Sequence, residues 1–402
     1  MHHYGLPPYP FMKSAAYLTR NIWVLSLVSL FTDTASEMLY PVMPLFLKSV
    51  GFSVVFIGML EGVAEAVAGL SKGYFGRWSD YSPRRLPFVQ LGYAMSAISK
   101  PMLAIFSWAW WILLARTIDR LGKGLRTGAR DALLSDEATP ATKGRVFGFH
   151  RSMDTLGAVL GPAIALVYLG YFPGDYRTLF WIAFLPGLLA IGATFLVRER
   201  TRRHQTTGHF STWNFLAFTA YWREGPMAYR RLVGGLLLFA LFNSSDVFLL
   251  LRAREAGLSE TGVVGAYIFY NLVYAVAALP MGTLADRFGM RRVFVGGLFV
   301  FAIVYASMGL AQVGWVVGVL FFLYGLYAAA TESVAKAWIS NISERQHTAT
   351  AIGTFTAFQS VAALIASSLT GFLWYALGPA VALGISAVVA VTVGIYLAVV
   401  KL

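Results

Sequence analysis

The 402-residue chain is 57% hydrophobic and only 13% charged, with a mean hydropathy of +0.64. Soluble domains carry about a quarter charged residues, so a soluble protein is excluded and an integral membrane protein is expected. There is no cysteine, which excludes disulfides and thiolate metal sites, and the six scattered histidines give no metal-ligand spacing. The net charge of +13 sits mostly in short segments between apolar runs, a positive-inside pattern and not a nucleic-acid-binding surface.

Residues 1–20 form a polar, Pro-rich N-terminal segment without the apolar core and cleavage site of a signal peptide. Apolar runs follow at 22–47, 54–75, 86–108, 110–134, 146–170 and 178–197. They resume at 232–251, 261–284, 293–311, 314–339, 349–375 and 379–400. At about 20 residues per span, twelve transmembrane helices are expected; strand alternation is absent, which argues against a β-barrel. The intervening segments alternate in charge. Arg77, Arg84, Arg85, Lys143, Arg145, Arg287, Arg291 and Arg292 fall on one side, and the other carries little charge. This bias places both termini and the 199–230 linker in the cytoplasm of a multi-pass inner-membrane protein. The linker divides the chain into six-helix bundles at 21–198 and 231–402. The expected fold is therefore all-α, two six-helix pseudo-repeats around a central cavity.

"GRWSDYSPRR" (76–85) returns as "GTLADRFGMRR" (282–292) at the equivalent place in the second half. Gly76 and Gly282 allow close helix approach, and Asp80 and Asp286 can cap a neighbouring helix or pair with an Arg. The Arg pairs that follow anchor both loops at an anionic leaflet. The repeated loop resembles the signature of the major facilitator superfamily, Gly-x-x-x-Asp-Arg-x-Gly-Arg-Arg. The second copy matches at Gly282, Asp286, Arg287, Gly289, Arg291 and Arg292. The first keeps Gly76, Asp80, Arg84 and Arg85 but has Tyr81 and Pro83 where the family has Arg and Gly. "ARTIDRLGKG" (115–124) is similar to the family's fourth-helix pattern at Arg116, Gly122 and Gly124, with Asp119 and Arg120 replacing Gln and Gly. "LGAVLGPAIA" (156–165) resembles its fifth-helix pattern through Gly157, Gly161 and Pro162, which in the family accompanies proton-coupled export. The resemblance implies alternating access, with the repeated loops locking the cytoplasmic helix ends.

On the fourth helix, Arg116, Asp119, Lys123, Arg126 and Arg130 fall within an arc of roughly 80°, extended by Arg120 and Asp131. Charge facing hydrocarbon costs several kcal/mol, so the stripe faces a watery cavity or partner charges. Arg116, Asp119 and Arg120 read as substrate-binding. Lys123, Arg126, Arg130 and Asp131 read as an ion-pair lattice with Arg151 and Asp154 of the fifth helix, closing a cytoplasmic gate. Asp33 and Glu37 on the first helix, with Glu65 on the second, are the candidate proton carriers, because a carboxylate in a low-dielectric cavity titrates nearer working pH. Lys100 beside Pro101 reads as structural. In the second half, Asn243, Asp246, Tyr267, Asn271 and Phe355 offer hydrogen-bonding and aromatic contacts to an organic body, and Glu332 and Lys336 are expected to pair with each other.

There is no Walker A pattern, and no His-rich or nucleophilic constellation of an enzyme. The expected function is a cofactor-free, monomeric, proton-coupled transporter of a small organic anion or zwitterion, leaning to proton-antiport efflux. The alternatives are proton-symport uptake of an organic anion and multidrug efflux of lipophilic cations.

Overall fold

The long apolar runs fold into helices, and Gly, Pro and Asp mark most of their ends. The structure, a computed structural model, describes residues 17–199 and 214–401, with side chains except at positions 44, 45, 54–63, 65, 66, 260 and 261. The N-terminal residues 1–16 and the linker stretch 200–213, on which expectations were placed, lie outside the described residues.

The first group of helices is α1 (Arg20–Leu39), α2 (Met43–Ser49), α3 (Val54–Tyr81), α4 (Leu86–Ile105), α5 (Ala109–Glu137), α6 (Lys143–Tyr171) and α7 (Tyr176–Thr194). A 3-10 turn (Ala217–Ala220) and the one-turn α8 (Tyr221–Glu224) end the linker. The second group is α9 (Met227–Ala240), α10 (Val247–Glu255), α11 (Glu260–Phe288), α12 (Met290–Leu310), α13 (Gly314–Ile342), α14 (Thr348–Leu377) and α15 (Pro379–Val399). No strand occurs among the described residues. Among the described residues, eight helices are long and apolar enough to cross a membrane, and neither α4 nor α5 is among them.

Two runs expected as single helices are each broken. The run at 22–47 splits between α1 and α2, where Pro41 lacks the backbone N–H that would continue the α1 ladder. The run at 232–251 splits between α9 and α10 across residues 241–246, "LFNSSD". Asn, Ser and Asp side chains compete there for the backbone, and the Ser245 amide donates to Ser367 Oγ at 3.2 Å instead of to a helical carbonyl.

Within the first group α6 packs on α1, and α5 on α3 and α4. Within the second, α13 packs on α11 and α12, and α12 on α15. The groups meet where α6 lies on α11 and α13, and where α3 and α5 lie on α14. Their interiors differ. The second group has one apolar core, running from Leu232 through Phe301 and Phe321 to Leu397. The first has two. One gathers Met38, Phe46, Ile112 and Phe180, and the other gathers Leu25, Val89, Leu134 and Val146. A charged layer separates them.

Candidate functional site

That layer is built on α5. Lys100 is buried and donates to Asp119 Oδ1 at 2.8 Å and to Ser36 Oγ at 3.2 Å. Arg120 Nε stands 3.9 Å from Asp119 Oδ2. Arg126 donates to Ser96 Oγ at 2.6 Å and lays its guanidinium 4.6 Å from the Tyr93 ring centroid. It therefore turns to α4, where a hydroxyl and a π face satisfy it, and not to α6 as expected. Around these groups is a cavity of about 340 Å³ between α1, α4 and α5. Among the described residues its walls carry five cations, Lys100, Arg116, Arg120, Lys123 and Arg126, and three carboxylates, Asp33, Glu37 and Asp119. Lys123 acts electrostatically on both Asp33 and Glu37, and Asp33 also lies beside Asp154. The side chain of Glu65 lies outside the described residues.

A second lattice joins the groups. Asp154 accepts from Ser29 Oγ at 2.5 Å and from Arg151 at 2.8 Å, with Arg130 at 3.9 Å. Arg130 also holds Asp131 at 2.8 Å. Glu332, Lys336 and Ser340 follow one another at single turns of α13 and meet the first group in register. Glu332 pairs with Arg151 at 2.7 Å, Lys336 with Asp131 at 2.8 Å, and the Ser340 carbonyl accepts from Lys143 at 2.6 Å. Glu332 and Lys336 thus pair across the interface and not with each other, because opposite charges on α5 and α6 face them. Beyond the helix end, Arg345 reaches Asp136 at 3.3 Å.

The repeated loops lie at this same basic end, and each Asp caps a helix of the opposite group. Asp80 accepts from the Thr350 amide at 2.7 Å and hydroxyl at 2.8 Å, at the start of α14, and also holds Arg85. Asp286 accepts from the Gly144 and Arg145 amides at 2.7 and 2.9 Å, at the start of α6. Anions at helix N-termini are stabilising by about 0.3–2 kcal/mol each. Close approach makes this possible. A Cβ on Gly76 would sit 2.6 Å from the Ala349 carbonyl, and Gly144 and Gly282 leave no room for a Cβ between each other's backbones. Arg85 also bridges to Asp136 at 2.7 Å, while Arg291 donates to the Val400 carbonyl at 2.8 Å. Arg84, Arg287 and Arg292 are exposed. Gly157 and Gly161, followed by Pro162, bring α6 against the α1 backbone within one group.

The third cluster surrounds the α9–α10 break. Asp246 accepts from Tyr270 and, at 2.6 Å, from Tyr324. Asn243 donates to Tyr327 at 3.1 Å, and Asn271 donates to the Tyr267 carbonyl at 3.0 Å. Phe355, expected to meet substrate, is buried in the second group's apolar core. Sequence reasoning missed Tyr324 and Tyr327, and it missed Lys100 as the partner of Asp119. The i, i+3 spacing of the two tyrosines on α13 was the available signal.

Compared with known proteins, the chain matches the model of the Major Facilitator Superfamily over residues 25–270 and 253–402. It is 31% identical over 368 residues to an uncharacterised MFS-type transporter of Methanocaldococcus jannaschii, covering 89% of each chain. It is 20% identical to a multi-drug resistance efflux pump PmrA homolog of Lactococcus lactis, over 81% of each chain. It is 23% identical to the multidrug resistance protein MdtG of Dickeya zeae, over 76% of each. Solved structures share the fold. The human organic anion transporter MFSD10 superposes with a TM-score of 0.78 at 16% identity, over 94% of this chain and 99% of that one. The transporter FucP, in its outward conformation, gives 0.73 at 13% identity, over 95% and 99%. The chain belongs to the major facilitator superfamily. It is a multi-pass membrane transporter and not an enzyme.

Proposed function

We propose that this transporter moves a small organic solute carrying an anionic group, by alternating access across twelve spans, and exports it in exchange for protons. The observation that carries the reading is the cavity of about 340 Å³ walled by five cations and three carboxylates. A wall this rich in Lys and Arg suits an anionic group, and Arg forks suit carboxylate or phosphate oxygens. Asp33 and Glu37 are the proton carriers, since both share the cavity with Lys123. The basic end is cytoplasmic, and the inter-group lattice closes it, so the solute site faces the opposite side in this state. Export is supported by the Gly157, Gly161 and Pro162 pattern and by the relatives named as multidrug efflux proteins. A second reading, uptake together with a proton, is favoured by Lys123. Protonating Asp33 or Glu37 releases that ammonium for a solute anion, which makes proton and anion bind together.

Proteoliposomes with a pH dye inside and an inside-acid gradient separate the two. Organic anions or zwitterions added outside should cause alkalinisation that Asp33→Asn abolishes, while solute exchange persists. Acidification on adding a compound without a gradient would establish the second reading. Driven transport surviving in Asp33→Asn would move the carrier elsewhere.

A further inference from the structure

We infer that the α9–α10 break is a binding site for an organic ammonium group, set across the central space from the cationic cavity of the first group. The inference takes from the proposed function only that the solute passes between the two groups.

The contrast with the first group carries it. Asp119, Asp131 and Asp154 each have a cation within 4 Å. Asp246 pairs with no Lys, Arg or His among the described residues, and the charged group that acts on it is another carboxylate, Glu332. An uncompensated carboxylate inside a membrane protein marks a place where a positive charge arrives. The surroundings are also acceptors. Asn243 spends its amide on Tyr327 and leaves a buried Oδ1 without a donor among the described residues. Half-buried Tyr267 leads a run of rings into the second group's core, Tyr270, Tyr324 and Tyr327, with successive centroids 5.5, 5.3 and 5.4 Å apart.

This chemistry selects the kind of cation. A bare calcium or magnesium ion takes six or more oxygen ligands, more than Asp246 and Asn243 supply, and each Asp246 oxygen already accepts from a tyrosine hydroxyl. A carboxylate without a cation partner beside the partly open Tyr267 ring is the pairing that recognises alkylated ammonium groups. The site looks toward the other wall, since half-buried Tyr267 lies within electrostatic reach of both Asp246 and Glu37. A solute with an ammonium end and an anionic end spans the two walls.

The test is thermal unfolding of the full-length chain in lipid nanodiscs, followed by Trp fluorescence at constant ionic strength. The probes are tetramethylammonium, sodium and inorganic phosphate. Tetramethylammonium should raise the midpoint saturably, with apparent affinity about tenfold weaker in Asp246→Asn and several-fold weaker in Tyr267→Ala. Tyr267→Ala keeps the test decisive if Asp246→Asn fails to fold, because Tyr267 donates no hydrogen bond to Asp246. No saturable shift, a shift unchanged in the variants, or an equal shift with sodium would overturn the inference. An ammonium response of the expected kind, with a phosphate response that is absent or indifferent to Arg120→Gln, supports this site and removes the anionic one.

Discussion

Lys100 stands one residue before Pro101 inside α4, and its ammonium is enclosed by Asp119 and Ser36. Removing one member of a buried pair leaves the other charge without compensation. Lys100→Met is therefore expected to lower stability by about 3–5 kcal/mol, read as a fall in Tm in detergent. The double variant Lys100→Met/Asp119→Leu should recover part of that loss, since the pair's own desolvation cost is gone while Arg120 loses its contact with Asp119. The residues of this site were largely visible in the sequence, because the α5 stripe repeats at helical spacing. Their partners were not. Spacing along one helix says which side chains share a face, and it does not say which neighbour that face meets. Arg126 accordingly turned to α4, and Glu332 and Lys336 turned away from each other.

At the scale of helices, the α6–α11 crossing depends on the absence of side chains at Gly144 and Gly282. Gly282→Val should push these helix ends apart and loosen the basic end. The chain has no cysteine, so Ser340→Cys supplies a single thiol at a position buried in the closed interface. Its labelling should accelerate by about tenfold when Gly282→Val is added, and an unchanged rate would detach this crossing from closure. Helix existence was well legible from the apolar runs. The breaks after Leu39 and Ala240 were not, because the apolar residues flanking 40–42 and 241–246 keep the average over a span-length window high across these short dips. Pro41 and the polar "NSSD" were present in the sequence, yet the decisive competitor, Ser367 Oγ on α14, is distant in the chain.

Across the whole molecule, α13 reads like a zipper against the first group through Glu332, Lys336 and Ser340. Lys336→Glu places like charges together opposite Asp131 and should shift distances between spin labels on the two groups toward the state open at the basic end. Exchanging the charges, Asp131→Lys with Lys336→Asp, should bring the distances back; persistence of the shift would show that Arg130 sets the sign of this contact. The repeat of the capping Asp residues was readable from the motif, whereas this zipper was not, since nothing in α5 or α6 alone points to α13. The charged layer that splits the first group's core has one more consequence, and it concerns how the chain is made. Helix α5 carries Arg116, Asp119, Arg120, Lys123, Arg126, Arg130 and Asp131 on a segment too polar to partition by itself. It follows α4 directly, and Lys100 is already in place to neutralise Asp119. Helix α4 is not among the span-competent helices either, so α4 and α5 are expected to enter the bilayer together, and an α5 detached from α4 is expected to stay outside the lipid during synthesis.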